Sequence, residues 1–220
     1  PEEAGALDMA IEQARGQGAD LIIAVDPDAD RCALAVPDPA SAAGWRPLSG
    51  DQIGCLVGEF LAARGLDGSL ANSIVSSRLL ACIAREHGLA HHTTLTGFKW
   101  IARAPSLAFG YEEAIGFCPN PGIVRDKDGI ASSVVAASLF ASLKAQGRSA
   151  WDELDRLARL HGLHVTGPLT FRVDQIEQIA QGMARLRAQP PSELAGSPVV
   201  EVSDLSEGYQ GRRAGAHPRR

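Results

Sequence analysis

Apolar positions along the chain fall into two periods. Over residues 3–17, Leu7, Ile11 and Ala14 recur at helical spacing, and Gly16 and Gly18 mark the stop. Residues 21–25 are then apolar without a break, the pattern of a short strand buried on both faces. Asp26-Pro27-Asp28-Ala29-Asp30-Arg31 interrupts the run, and residues 32–36 resume it as a second strand. Residues 37–44, rich in Pro, Ala and Ser, read as a linker and a domain boundary.

Past the linker, strands and helices alternate. Ser49 predicts an N-cap, with Asp51 and Gln52 in the first turn of a helix that runs through Ile53, Leu56, Val57, Phe60 and Leu61 to Gly65. A strand is expected at 72–76, a helix at 79–86, a strand at 91–95, a short helix at 98–103 and a strand at 107–110. Asp128 caps a long helix over 129–146, and 151–160 forms another. This order predicts an α/β fold: mixed, largely parallel sheets with flanking helices, and ligands at the carboxyl ends of the strands. From about residue 165 the pattern changes to strand 169–173, helix 176–187 and strand 199–202, the start of a small α+β domain. It breaks off in residues 211–220, an Arg/Gly/Ala-rich stretch with no apolar pattern and the look of a non-native tail.

Composition narrows the classes. With 220 residues, 45% of them apolar, the chain buries enough surface to fold without disulfide or metal staples. No apolar run approaches the roughly 20 residues of a spanning helix, and no polybasic helix suits a membrane surface. A net charge of -5 leaves no basic footprint for nucleic acid. Cys32, Cys55, Cys82 and Cys118 stand singly, so free, mostly buried thiols in a reducing, cytoplasmic setting are expected.

The acidic loop carries the chemistry. Alternate side chains of an extended segment share a side, so Asp26, Asp28 and Asp30 crowd together. Their mutual repulsion is roughly 2–3 kcal/mol per pair at an effective dielectric near 20. A hard divalent cation relieves it, and oxygen-only ligands favour Mg²⁺ or Ca²⁺ over Zn²⁺. The bland alternative is a solvated acidic turn. An EF-hand is excluded, because positions six and twelve hold Arg31 and Pro37 instead of Gly and Glu. A phosphatase of the haloacid dehalogenase type, with Asp26 as nucleophile, remains an alternative. Arg31 beside a magnesium site suits phosphoryl transfer, where charge spreads over the equatorial oxygens.

Asp26-Pro27-Asp28-Ala29-Asp30-Arg31 resembles the D-G-D-x-D-R magnesium loop of the α-D-phosphohexomutase family, and three later segments follow in the family's order. Thr96-Gly97-Phe98-Lys99-Trp100-Ile101 resembles the third-domain loop that closes on substrate. Gly110-Tyr111-Glu112-Glu113-Ala114-Ile115-Gly116 resembles the sugar-recognition loop, and Arg125-Asp126-Lys127-Asp128-Gly129 the R-[ED]-K-D-G segment. The wording is similar to the phosphoglucomutase and phosphopentomutase-like branch, with phosphomannomutase close by.

The resemblance implies reversible transfer of phosphate between C1 and C6 of a hexose, or C1 and C5 of a pentose, through an enzyme phosphoserine and a sugar bisphosphate. It implies one Mg²⁺ held by Asp26, Asp28 and Asp30, catalytic roles for Arg31 and Lys127, and substrate contacts from Gly97, Lys99, Glu112, Glu113 and Arg125. Phe98 and Trp100 are expected in the core. Residues 1–40 would be the end of a metal-binding second domain, 45–165 a sugar-binding third domain, and 166–220 the start of a phosphate-binding fourth. Ala114 stands where many members carry Ser, which touches the sugar. The 220 residues contain neither a Ser-His-Asn-Pro phosphoserine loop nor a Ser/Thr/Gly-rich phosphate loop. The expectation is an incomplete part of an enzyme, without turnover on its own; a non-catalytic sugar-phosphate or metal-binding module is the other reading.

Overall fold

The two apolar runs that flank the acidic loop fold back on each other. β1 (Ile22–Val25) and β2 (Cys32–Pro37) pair antiparallel with Val25 opposite Cys32, which makes residues 26–31 the tip of a hairpin. β3 (Trp45–Pro47) pairs antiparallel with the other edge of β2, across the turn closed by the Asp38 amide and the Gly44 carbonyl. This computed structural model describes residues 3, 5–167, 170–202 and 204–205.

Helix α1 (Asp8–Gln17) lays Leu7, Ile11 and Ala14 against Ile22, Ala35 and Trp45. It begins five residues later than the periodicity suggests, because Gly5 takes a left-handed φ of 81°. Gly18, also left-handed, ends it by donating to the Ala14 carbonyl. β2 is buried along almost its whole length, but β1 is not the doubly buried strand that its composition implies. It is the outer strand of its sheet among the described residues, and Ile23 and Val25 remain 36% and 44% exposed.

The second sheet has the order β5-β4-β6-β7, built from β4 (Ser69–Ser73), β5 (Ala90–Thr94), β6 (Leu107–Glu112) and β7 (Gly116–Cys118). The first three are parallel and β7 closes back antiparallel onto β6. β4 lies three residues earlier than expected; Ile74 and Val75 fall in the turn after it and stay exposed. Helices α2 (Gly50–Ala62) and α3 (Leu79–Glu86) bury Leu70, Phe109, Tyr111 and Phe117 on one face. The short α4 (Phe98–Ile101) covers Ala71, Leu107 and Cys118 on the other. Capping boxes set the starts of α2, at Ser49 and Gln52, and of α6 (Ala150–His161), at Ser149 and Asp152. Gly54 seats α2 on the sheet: a Cβ there would come within 2.5 Å of the Tyr111 ring. The long α5 (Gly129–Ala145) starts from Asp128, whose carboxylate accepts from the Ala131 amide. Described residues up to 166 thus form a mixed α/β unit with one antiparallel and one mostly parallel sheet.

Residues 167–210 form a separate unit. It holds α7 (Glu177–Ala188) and a short hairpin of β8 (Glu193–Leu194) and β9 (Ser197–Pro198). The strands expected at 169–173 and 199–202 do not form at their described positions, and Leu169 lies outside the described residues. No described residue of this unit is buried, so an apolar alternation there has no core to face. Residues 211–220 lie outside the described residues. No helix among the described residues is long and apolar enough to cross a membrane.

Candidate active site

The hairpin tip folds its three aspartates into one cluster. A carboxylate oxygen from each of Asp26, Asp28 and Asp30 lies within 4.8 Å of the other two. Ala29 makes the turn in the left-handed region, at φ 57°, with its amide on the Asp26 carbonyl at 3.0 Å. Asp26 Oδ1 accepts from the Arg31 amide at 3.0 Å and closes the loop. That hydrogen bond, more than any other influence, holds the Asp26 carboxyl below its ordinary pKa. The Arg31 Nε lies 3.8 Å from both Asp26 and Asp30, and Lys127 Nζ lies 2.6 Å from Asp30. Two cations thus stand against three anions.

The donor set fits a divalent ion. Opposite oxygens of one ion are about 4.2 Å apart at Mg²⁺ bond lengths and about 5 Å at Ca²⁺ lengths. Oxygens already within 4.8 Å need only a few tenths of an ångström of side-chain movement, and Asp28 is exposed enough to supply it.

Three other sequence-predicted segments meet this loop at Gly116. Arg31 bridges to Gly116, and the Cys32 amide donates to the Ile115 carbonyl at 3.1 Å. A Cβ on Gly116 would lie 2.6 Å from Lys127 Cδ and 3.8 Å from Phe98, so the missing side chain is the passage for the lysine stem toward Asp30. The Gly129 amide donates to the Ala29 carbonyl at 3.0 Å, and a Cβ there would lie within 2.6 Å of the carbonyl oxygens of Ala29 and Arg31. The start of α5 therefore rests directly on the acidic loop. Ile115, β-branched, takes a φ of 53°; such backbone costs about 1–3 kcal/mol and tends to gather at functional sites.

The paired glutamates at the end of β6 point to different partners. Glu112 Oε1 accepts from the Gly97 amide at 2.7 Å, which ties the Gly110–Gly116 segment to the Thr96–Ile101 segment. Gly97 has a φ of 114°, a conformation that suits glycine. Glu113 Oε2 accepts from the Ser73 and Ser76 hydroxyls, both at 2.8 Å, and its amide donates to Ser76. Arg125 and Lys99 are exposed. Phe98 is buried as expected, but Trp100 is 38% exposed, with the Lys99 and Arg103 cations 5.5 and 5.4 Å from its ring centre. Ala114 has no hydroxyl to offer at this turn.

Sequence reasoning missed the polar network under β6. Tyr111, fully buried, donates its hydroxyl to Asp51 Oδ1 at 2.7 Å. Burial pushes the Tyr111 pKa well up, which keeps that proton in place. Asn72 Nδ2 donates to the Tyr111 oxygen at 3.3 Å and to the Ser77 carbonyl at 2.8 Å. Its oxygen therefore faces His91 Nε2, 3.0 Å away, as an acceptor. Burial lowers the His91 pKa to about 4. The one signal in the sequence was Asp51 itself, an acid in the first turn of a mostly apolar helix.

Known proteins carry the same order of parts. The family described as phosphoglucomutase/phosphomannomutase, alpha/beta/alpha domain III, matches residues 49–160, and its domain II matches residues 1–40. A probable phosphomannomutase of Haemophilus influenzae is 44% identical over 206 residues, covering 93% of this chain and 42% of that protein. A probable phosphoribomutase of Schizosaccharomyces pombe is 31% identical, over 95% of this chain and 38% of that protein. A putative phosphomannomutase structure from Thermus thermophilus superposes with a TM-score of 0.60 at 22% identity, over 71% of this chain and 35% of that one. The chain thus spans about two fifths of the length of these curated relatives. The family match sets the dehalogenase-type phosphatase reading aside. Four motif segments meeting at Gly116, on an α/β/α frame that two of the family's domains match, make this chain a member of the α-D-phosphohexomutase family.

Proposed function

We propose that this chain supplies the metal-holding and sugar-recognising parts of a phosphosugar mutase, which interconverts a sugar 1-phosphate and its 6- or 5-phosphate. The observation that carries this reading is the meeting of the acidic loop, the Lys127 stem, Phe98 and the end of β6 around Gly116. Asp26, Asp28 and Asp30 would hold one Mg²⁺. Bound there, the ion would neutralise charge on the oxygens of a phosphoryl group in transfer.

The chain's own side chains do the rest. Arg31 and Lys127 bring fixed positive charge to the same place, where phosphoryl oxygens would lie. Glu112 keeps acceptor capacity beyond its bond to Gly97, which suits neighbouring hydroxyls of a sugar. Lys99 and Arg125, exposed cations on the neighbouring segments, would meet the distal phosphate. Glu113, bonded to Ser73 and Ser76, would act on the sugar by fixing the turn that carries Glu112. The phosphoryl donor would be a phosphoserine outside these 220 residues. The purified chain is therefore expected to bind Mn²⁺ and glucose 6-phosphate without interconverting glucose phosphates. Calorimetric titration with each, beside a coupled mutase assay, tests this. Absence of glucose 6-phosphate binding would overturn the reading, and so would steady turnover; binding unchanged in Glu112→Gln would remove that residue from it.

A further inference from the structure

Asp51 is only 6% exposed, and no cation pairs with it among the described residues. Instead it accepts from three neutral donors on three separate segments. Oδ1 takes the Ser77 amide and the Tyr111 hydroxyl, both at 2.7 Å, and Oδ2 takes the Thr166 hydroxyl at 2.6 Å. All three donate, so the carboxylate serves each of them as acceptor. Its position in the first turn of α2 adds the favourable field of the helix start. A buried charge held this way is costly to move, because every displaced donor loses its acceptor.

Two of the three donors belong to segments of special interest. Tyr111 immediately precedes Glu112 in β6. Thr166 ends the strap 162–166 that follows α6, and residue 167 opens the next unit. The strap is poorly packed. A cavity of about 310 Å³ lies against it, bordered by Cys55, Leu154 and Ala158, and Leu163 and Val165 are each 79% exposed. With little apolar contact, its polar tie to Asp51 has unusual weight.

We propose that Asp51 is a positioning residue that braces Glu112 through Tyr111 and latches the strap 162–166 with the same carboxylate. A shift of the strap then reaches the end of β6 that carries Glu112, and a ligand on Glu112 steadies the strap. The sugar-binding half of this statement rests on the function proposed above; the mechanical half does not.

Hydrogen exchange of the whole chain separates the two. Thr166→Val keeps the shape of the side chain and removes the donor. It is expected to speed exchange of the Gly162 amide, which the strap holds on the Ala158 carbonyl, about tenfold, and at residues 111–116 by a smaller, measurable factor. Thr166→Ser, which restores the hydroxyl, returns both to wild-type rates. Tyr111→Phe touches no strap residue, yet it is expected to speed strap exchange as well. The latch is overturned if Thr166→Val acts on the strap alone, if Ser fails to rescue, or if Tyr111→Phe leaves the strap unchanged. Glucose 6-phosphate is expected to slow exchange in both segments of the wild-type chain, and in Thr166→Val at residues 111–116 but not in the strap. If it slows neither segment in the wild type while the variants still couple them, the sugar reading fails and the latch stands.

Discussion

Two sets of carboxylates, built from the same functional group, are handled in opposite ways. Asp26, Asp28 and Asp30 sit at a hairpin tip, and their charge is opposed by the cations of Arg31 and Lys127. Asp51 sits under the second sheet, and its charge is balanced by three fixed neutral dipoles. Salt-bridge partners in partial contact with water can be exchanged for a metal ion at small cost. Buried donors cannot be exchanged at all without leaving orphans. On the proposed reading, one site takes a ligand and the other holds backbone still.

Removing each carboxylate in turn should break the comparison most visibly. Asp51→Ala leaves the Tyr111 hydroxyl and the Ser77 amide without an acceptor, and about 4 kcal/mol of stability should be lost in urea unfolding. Asp28→Ala, at an exposed position, should change stability by less than about 0.5 kcal/mol and weaken Mn²⁺ binding about tenfold or more. Equal effects on stability would erase the distinction.

Acid sharpens it. His91 belongs to the buried network through Asn72, and its pKa in the fold is about 4. The unfolded chain takes up a proton near pH 6.5 that the folded chain refuses until about pH 4. Stability from this group is thus complete above pH 6.5 and falls as pH drops, by about 3 kcal/mol in all by pH 4. His91→Gln keeps a donor for Asn72 and should remove that part of the fall; identical pH profiles for the two proteins would refute the assignment.

A smaller effect is expected from Gly129→Ala. Its new methyl would press on the carbonyls of Ala29 and Arg31 and cost about 2 kcal/mol. Because those carbonyls frame the acidic loop, Mn²⁺ affinity should fall with it, although no carboxylate has been touched.

The same contrast explains what could be read from the sequence. The clustering in the acidic loop was legible, because aspartates at alternate positions after an apolar run share one side of the chain. Helices α2 and α5 were legible from their caps and periodicity, and α3 and α6 from periodicity. The partners of Asp51 were not, since they lie 26, 60 and 115 residues away along the chain. Nor did the run Glu112-Glu113 reveal that one carboxylate turns to Gly97 and the other to two serines; in a strand end, adjacent residues face opposite ways and only tertiary packing says what waits there. β1 was misjudged for a related reason. An apolar run reports what a strand could bury, while its place at the edge of the sheet decides how much it does. The strands expected in residues 169–202 fail on the same ground, because alternation without a facing layer stabilises nothing.

The proposed function requires the three loop aspartates to act together on one cation beside the Gly110–Gly116 turn. Calorimetric titration of Mn²⁺ into the wild-type chain and into Asp26→Asn/Asp28→Asn/Asp30→Asn, at one pH and ionic strength, tests that most directly. One site per chain in the wild type, and none in the triple variant with its fold intact, is the predicted result. Retention of the wild-type isotherm by the triple variant would contradict it.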